Sequence, residues 1–204
     1  MNTNSYEVAD ACSFYLISRQ PSDHVSRLVT ILVSGSLSPK VFDDFCIEWG
    51  LQDSPSFKEE LLDLLLFYIE YCLKDHALTS DEKLSIRELK LLFRIKEGDF
   101  YKFKQPEVKG LLINEVSRIL EDKSVDKVEA LHQTDLQEIF GLSYDQYLKI
   151  TREPVGKIVD DVIAKITSDK KVTDEEREEL VQQIMALDTV YRLNAKQRRL
   201  VYGD

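Results

Sequence analysis

The stretch CLKDHALTSDEKLSIRELKLLFRIKEG, Cys72–Gly98, decides the fold. An apolar pair, Cys72-Leu73, precedes a polar loop and a single apolar anchor, Leu78. Thr79 comes next, and its side-chain oxygen can accept from the unsatisfied N–H groups that open a helix. The run that follows closes at Arg94-Ile95-Lys96-Glu97-Gly98.

The same order occurs four times. Ile31-Leu32-VSGS-Leu37-Ser38-Pro39, Ile119-Leu120-EDKS-Val125-Asp126 and Ile166-Thr167-SDKK-Val172-Thr173 repeat it around Cys72–Thr79. The anchors Leu37, Leu78, Val125 and Val172 lie 41, 47 and 47 residues apart, a period that fits helical-hairpin repeats. Each is followed by Ser, Thr or Asp. Downstream, Trp49-Gly50-Leu51, Phe140-Gly141-Leu142 and Ala186-Leu187-Asp188 are helix ends, with Gly50 and Gly141 suited to a left-handed C-cap. Ser143 then starts a short helix, SYDQYLKI.

Apolar periodicity agrees. Val155, Ile158, Val159, Val162, Ile163 and Ile166 form one stripe, and Val108, Leu111, Leu112, Val116, Ile119 and Leu120 another. Pro39, Pro55, Pro106 and Pro154 fall near the starts of such runs, where a missing N–H costs nothing. No alternating strand pattern competes. The chain therefore reads as all-α, a compact bundle or short superhelix of about 9–11 helices in repeated hairpins. An N-terminal helix occupies residues 1–20. A repeat body spans 21–193, with units near 21–55, 56–104, 105–153 and 154–193, and a basic tail, 194–204, forms a last short helix. No low-complexity linker divides the chain, so one body is expected.

Composition narrows the function. The 204 residues carry 27 Lys+Arg against 37 Asp+Glu, a net charge of -10, which argues against a phosphate-binding surface. Cys12, Cys46 and Cys72 are odd in number and lack C-x-x-C spacing, as in a reducing cytosol. The first ten residues are polar rather than signal-like, and the apolar run Leu61–Leu73 is short and carries Asp63 and Glu70, so it reads as a core helix. These features predict a cytoplasmic protein without membrane insertion. No histidine pattern, nucleophile elbow or phosphate loop nominates an enzyme.

Two groups of residues are candidates for a site. Asp122, Asp126 and Glu129, with Asp169, Asp174 and Glu175, place carboxylates at turns and in first helical turns, where they could gather around a divalent cation. Complementing the helix dipole is their ordinary role, and Lys127 and Gln133 break an EF-hand pattern begun at Asp122. No other cofactor is expected. Phe100, Tyr101, Lys102, Phe103 and Lys104 mix aromatic and basic side chains in one connection and are the candidate partner-binding segment. Their alternative role is to plug the core while lysines reach outward.

The stretches 73–95, 120–148 (LEDKSVDKVEALHQTDLQEIFGLSYDQYL) and 166–188 (ITSDKKVTDEEREELVQQIMALD) resemble the tellurite-resistance TerB-like helical family. That resemblance implies an acidic, cytoplasmic, non-enzymatic helical domain linked to stress response, membrane-associated complexes or metal sensing. It puts Asp75, Asp81, Glu82, Asp122, Asp126, Asp169, Asp174 and Glu175 at the family's acidic turn positions. His76, Lys123 and Lys170 stand where the family has the glycine of an Asp-Gly turn. The expected function is an interaction or adaptor module with a protein partner rather than nucleic acid. A metal-responsive binding protein and an acidic inhibitor that mimics nucleic acid are the alternatives.

Overall fold

A computed structural model describes residues 5–75, 78–121, 135–168, 173–175, 178 and 194–202. Among the described residues every regular element is helical, so the protein is all-α. The helices are α1 Ser5–Arg19, α2 Asp23–Val33, α3 Pro39–Glu48, α4 Pro55–Cys72 (continued by the tight turn Leu73–Asp75), α5 Ser80–Leu92, α6 Asp99–Phe103, α7 Gln105–Glu121, α8 Tyr144–Ser168 and α9 Ala195–Tyr202. Residues 135–140 are also helical.

The chain forms two compact units, Met1–Lys104 and Gln105–Asp204, rather than the single body expected from the absence of a linker. The boundary has no linker signature because Lys104 alone separates α6 from α7. Composition marks a boundary only where chain is left unpacked between units, and here none is.

In the first unit α4 occupies the core. Phe57, Leu61, Leu62, Leu64, Leu65, Leu66, Tyr68, Ile69 and Cys72 are all buried, a face that takes in more than half of its circumference. Helices α1 and α5 pack on α4, and α1 packs on α2. Helix α1 contributes Ala11, Cys12 and Tyr15, and α2 contributes Val25, Leu28, Val29 and Leu32.

Helix termini follow from local chemistry. Ser38 and Ser54 each accept from the backbone N–H three residues on, and Pro39 and Pro55 supply the preset first turn. At Thr79 the cap is reciprocal: the Glu82 N–H donates to Thr79 Oγ1 (3.2 Å), and the Thr79 N–H donates to Glu82 Oε2 (2.6 Å). The ends at Gly50, Arg94 and Gly141 share one geometry. Each is left-handed (φ 62°, 55° and 57°), and its N–H donates three residues back, to Ile47, Leu91 and Glu138 respectively. The next N–H, of Leu51, Ile95 or Leu142, donates five residues back, to Cys46, Lys90 or Gln137. This is the Schellman arrangement, which satisfies otherwise orphaned carbonyls. Val125 and Asp126 lie outside the described residues.

In the second unit α7 packs on α8, and α8 on α9. Pro154 does not begin a helix, contrary to its reading from sequence. It lies inside α8, which runs for 25 residues without a break. Ser143 and Gln146 start that helix by a reciprocal cap. Tyr147, Ile150, Val155, Val159 and Ile163 are buried along it, on both sides of the proline. An interior proline costs about 3 kcal/mol. Each of those side chains returns about 1.5–3 kcal/mol on burial, so one continuous face outweighs the break. Gln197 of α9 is buried with its polar atoms matched: it caps with Asn194, and its Nε2 donates to Asp160 Oδ1 (2.8 Å).

Two measurements check this account. Thr79→Ala should lower the unfolding free energy by about 0.5–2 kcal/mol. Gly50→Ala should lower it by about 1–2 kcal/mol, since an added methyl meets open space and the cost is purely conformational. A neutral Gly50→Ala in denaturant titration would show that the backbone there is not left-handed. The core also fixes a pH response. Burial pushes the Cys12 thiol up from 9.0 to about 12. Burial, and then the carboxylates of Asp63 and Glu60, push the Tyr15 hydroxyl up from 10.0 to about 12. Both groups ionise earlier in the unfolded chain than in the folded one. Stability is therefore full below about pH 9 and falls as pH rises toward 12, by about 1.4 kcal/mol per pH unit for each linked group. Cys12→Ala should flatten the first part of that fall in melts between pH 8 and about 11.

Candidate functional site

The segment expected to bind a partner splits into two roles. Phe100 is fully buried and plugs the core. Asp99, the first residue of α6, accepts from the Lys96 N–H (2.7 Å) and pairs with Lys58 of α4 (2.7 Å), which fixes the loop after Arg94. Lys104 does not reach outward as expected: it is buried, and its Nζ lies 2.6 Å from Asp63 Oδ1 of α4. The α6 backbone ends at Lys104, whose N–H donates to the Phe100 carbonyl, and that turn aims the side chain back at α4. Tyr101 and Phe103 are half-buried, and Lys102 is exposed with its ammonium 4.6 Å from the Phe103 ring centre. Phe100 and Lys104 are therefore parts of the folded body, and only Tyr101, Lys102 and Phe103 present surface.

Of the acidic candidates, Asp122, Asp126, Glu129 and Asp169 lie outside the described residues. Asp174 and Glu175 are exposed first-turn residues following Thr173. Glu82 is committed to the Thr79 cap. Among the described residues, no three His, Cys, Asp or Glu side chains gather as a cation site.

The structure instead brings together a group that the sequence kept apart. His24 of α2 places Nε2 2.6 Å from Glu60 Oε2 of α4 and 3.0 Å from Ser22 Oγ. Its ring meets Phe57 edge-on (5.5 Å) and lies 6.1 Å from Trp49. Trp49, the sole tryptophan, stacks on Phe45 at 5.8 Å. Ser, His and acid are the components of a nucleophilic triad, but here both oxygens address one ring nitrogen. If Nε2–H donates to Glu60, no lone pair remains there to take the Ser22 proton. A relay needs the acid and the serine on opposite nitrogens. The cluster fixes α2 against α4 and supports Trp49 from one side. Thirty-six residues separate His24 from Glu60, and no local motif announces such a pair.

Among the described residues, the first unit exposes several large apolar side chains. Ile17 and Leu91 are each 78% exposed, and Ile47 is 60% exposed. Phe14, Trp49 and Leu84 are exposed as well. Two cations lie over rings on the α1–α4 face: Lys74 over Tyr71 (4.1 Å) and Phe14 (5.3 Å), and Arg19 over Phe67 (5.7 Å). Among the described residues no helix is long and apolar enough to cross a membrane. No family model, curated protein or solved structure matches the chain.

The Lys104–Asp63 pair gives an asymmetric prediction. The Lys104 side chain is 9% exposed and that of Asp63 is 46% exposed. Asp63→Ala strands a buried ammonium and should cost about 3–5 kcal/mol. Lys104→Met leaves a carboxylate that water can solvate and should cost within about 1 kcal/mol. Equal losses in denaturant midpoints would mean that Lys104 is solvated and the pair is a surface one.

Proposed function

We propose that the chain is a non-enzymatic, cytoplasmic interaction or adaptor module, TerB-like in character, whose first unit presents apolar side chains to a protein partner. The observation that carries this reading is the exposure of Ile17, Ile47 and Leu91 on helices whose opposite faces are packed. Such side chains add nothing to the core and are free to be covered by a partner. The His24–Ser22–Glu60 arrangement supports the non-enzymatic half, because both partners address a single nitrogen. The acidic surface of a chain with net charge -10 keeps these apolar positions soluble without a partner bound.

The test uses Ile17→Glu combined with Leu91→Glu, two changes at solvated positions that should alter stability by about 0.5 kcal/mol or less. The full chain and the variant are each used to capture proteins from cells that express the native protein. The expected result is at least one reproducible partner, reconstituted from purified components, whose binding the variant loses while its melting temperature holds. An identical captured set for both chains would overturn the reading.

A further inference from the structure

Comparison of the three Schellman ends isolates one residue. The position just before the left-handed residue is Trp49, Phe93 or Phe140. Phe93 and Phe140 are 3% and 0% exposed and serve the core, whereas Trp49 is 41% exposed. The local backbone is the same at all three ends, so that geometry does not explain why Trp49 faces water. Ile47, two residues earlier, is also exposed at the same end of α3. The Trp49 ring is held in place from behind by Phe45 and from the side by His24, which Glu60 anchors. A rigid indole costs little entropy to bind against.

The unpaired charge next to this end in sequence is acidic, the Arg94 guanidinium that reaches α3 being taken by Asp43. Residues 44–57 contain Asp44, Glu48 and Asp53 and no Lys or Arg. These three carboxylates are exposed. Of the flanking cations, Lys58 is taken by Asp99, and Lys40 lies at the opposite end of α3. An indole face attracts a cation most strongly of the aromatic rings, and arginine is the cation most often found there. Carboxylates on either side add complementarity and select against acidic partners.

We propose that the Ile47–Trp49 end of α3 docks an arginine-bearing segment of the protein partner, with the guanidinium over Trp49 and Glu48 and Asp53 as its acidic rim. This rests on the interaction reading above and names the partner's chemistry at one place.

Because Trp49 is the only tryptophan, its emission reports this place alone. The full chain is titrated with a short capped peptide of alternating Arg and Leu, and separately with its Glu and Leu counterpart. The expected result is a saturable change of emission with the Arg peptide, weakened by salt, and none with the Glu peptide. Glu48→Gln with Asp53→Asn should reduce the affinity about threefold to tenfold, the effect of losing two exposed charge contacts. Both replacements keep shape, and asparagine tolerates the left-handed backbone at Asp53 (φ 56°). Silence toward the Arg peptide, equal response to both peptides, or unchanged affinity in the double variant would each overturn the proposal. None of these outcomes bears on Ile17 and Leu91, whose replacement tests the interaction reading separately.

Discussion

The first unit depends on the burial of α4. Nine of its side chains are withdrawn from water, each worth about 1.5–3 kcal/mol. A helix buried over more than half of its circumference cannot stand free in water, so other helices must pack against that face. The few polar positions it keeps are used as tethers. Lys58 holds Asp99, Glu60 holds His24, Asp63 holds Lys104, and Glu70 faces Arg19. Each tether reaches a different segment: the start of α6, the start of α2, the end of α6 and the end of α1. Apolar burial supplies the energy, and the charged fringe fixes which helix lies where.

That division explains what could be read from the sequence. Helix starts at Ser38 and Thr79 and stops at Gly50 and Gly141 are local events, settled by side chains within a few residues of the backbone groups they satisfy. Those were legible. Arg94 occupies the same left-handed position as the two glycines, yet arginine has no preference for it. Its guanidinium pairs with Asp43 of α3, a contact 51 residues away, and the buried Ile95 that follows requires the turn. Tertiary packing imposes that conformation, so no local reading of Arg94 foretells it. Pro154 is the converse case: a strong local signal for a boundary is overruled by a buried face that continues through it.

The candidate site was legible only in part. The aromatic–basic composition at 100–104 marked a segment of interest, but composition does not say which side chain turns inward. Phe100 and Lys104 lie four residues apart, and both turn inward, Lys104 onto Asp63 of α4. Tyr101 and Lys102 lie on the other side and remain accessible to different degrees. The His24–Glu60–Trp49 corner gave no signal because its members come from three separate helices or helix ends. Only the packing of α2 and α3 around α4 assembles it.

The same packing decides what that corner can do. Glu60 and Ser22 meet a single nitrogen of His24, so acid and serine do not stand on opposite sides of the ring, and the contact ties α2 to α4. Its rigidity matters in another way. An exposed aromatic ring that is free to rotate loses its rotamer freedom when a partner settles on it, and that loss subtracts from affinity. Trp49 is stacked on Phe45 and flanked by His24 before any partner arrives, so most of that entropy is already spent in folding. The hydrogen bond that anchors His24 to α4 thus contributes to recognition at one remove. It holds still the ring that the solvent, and a partner, can reach.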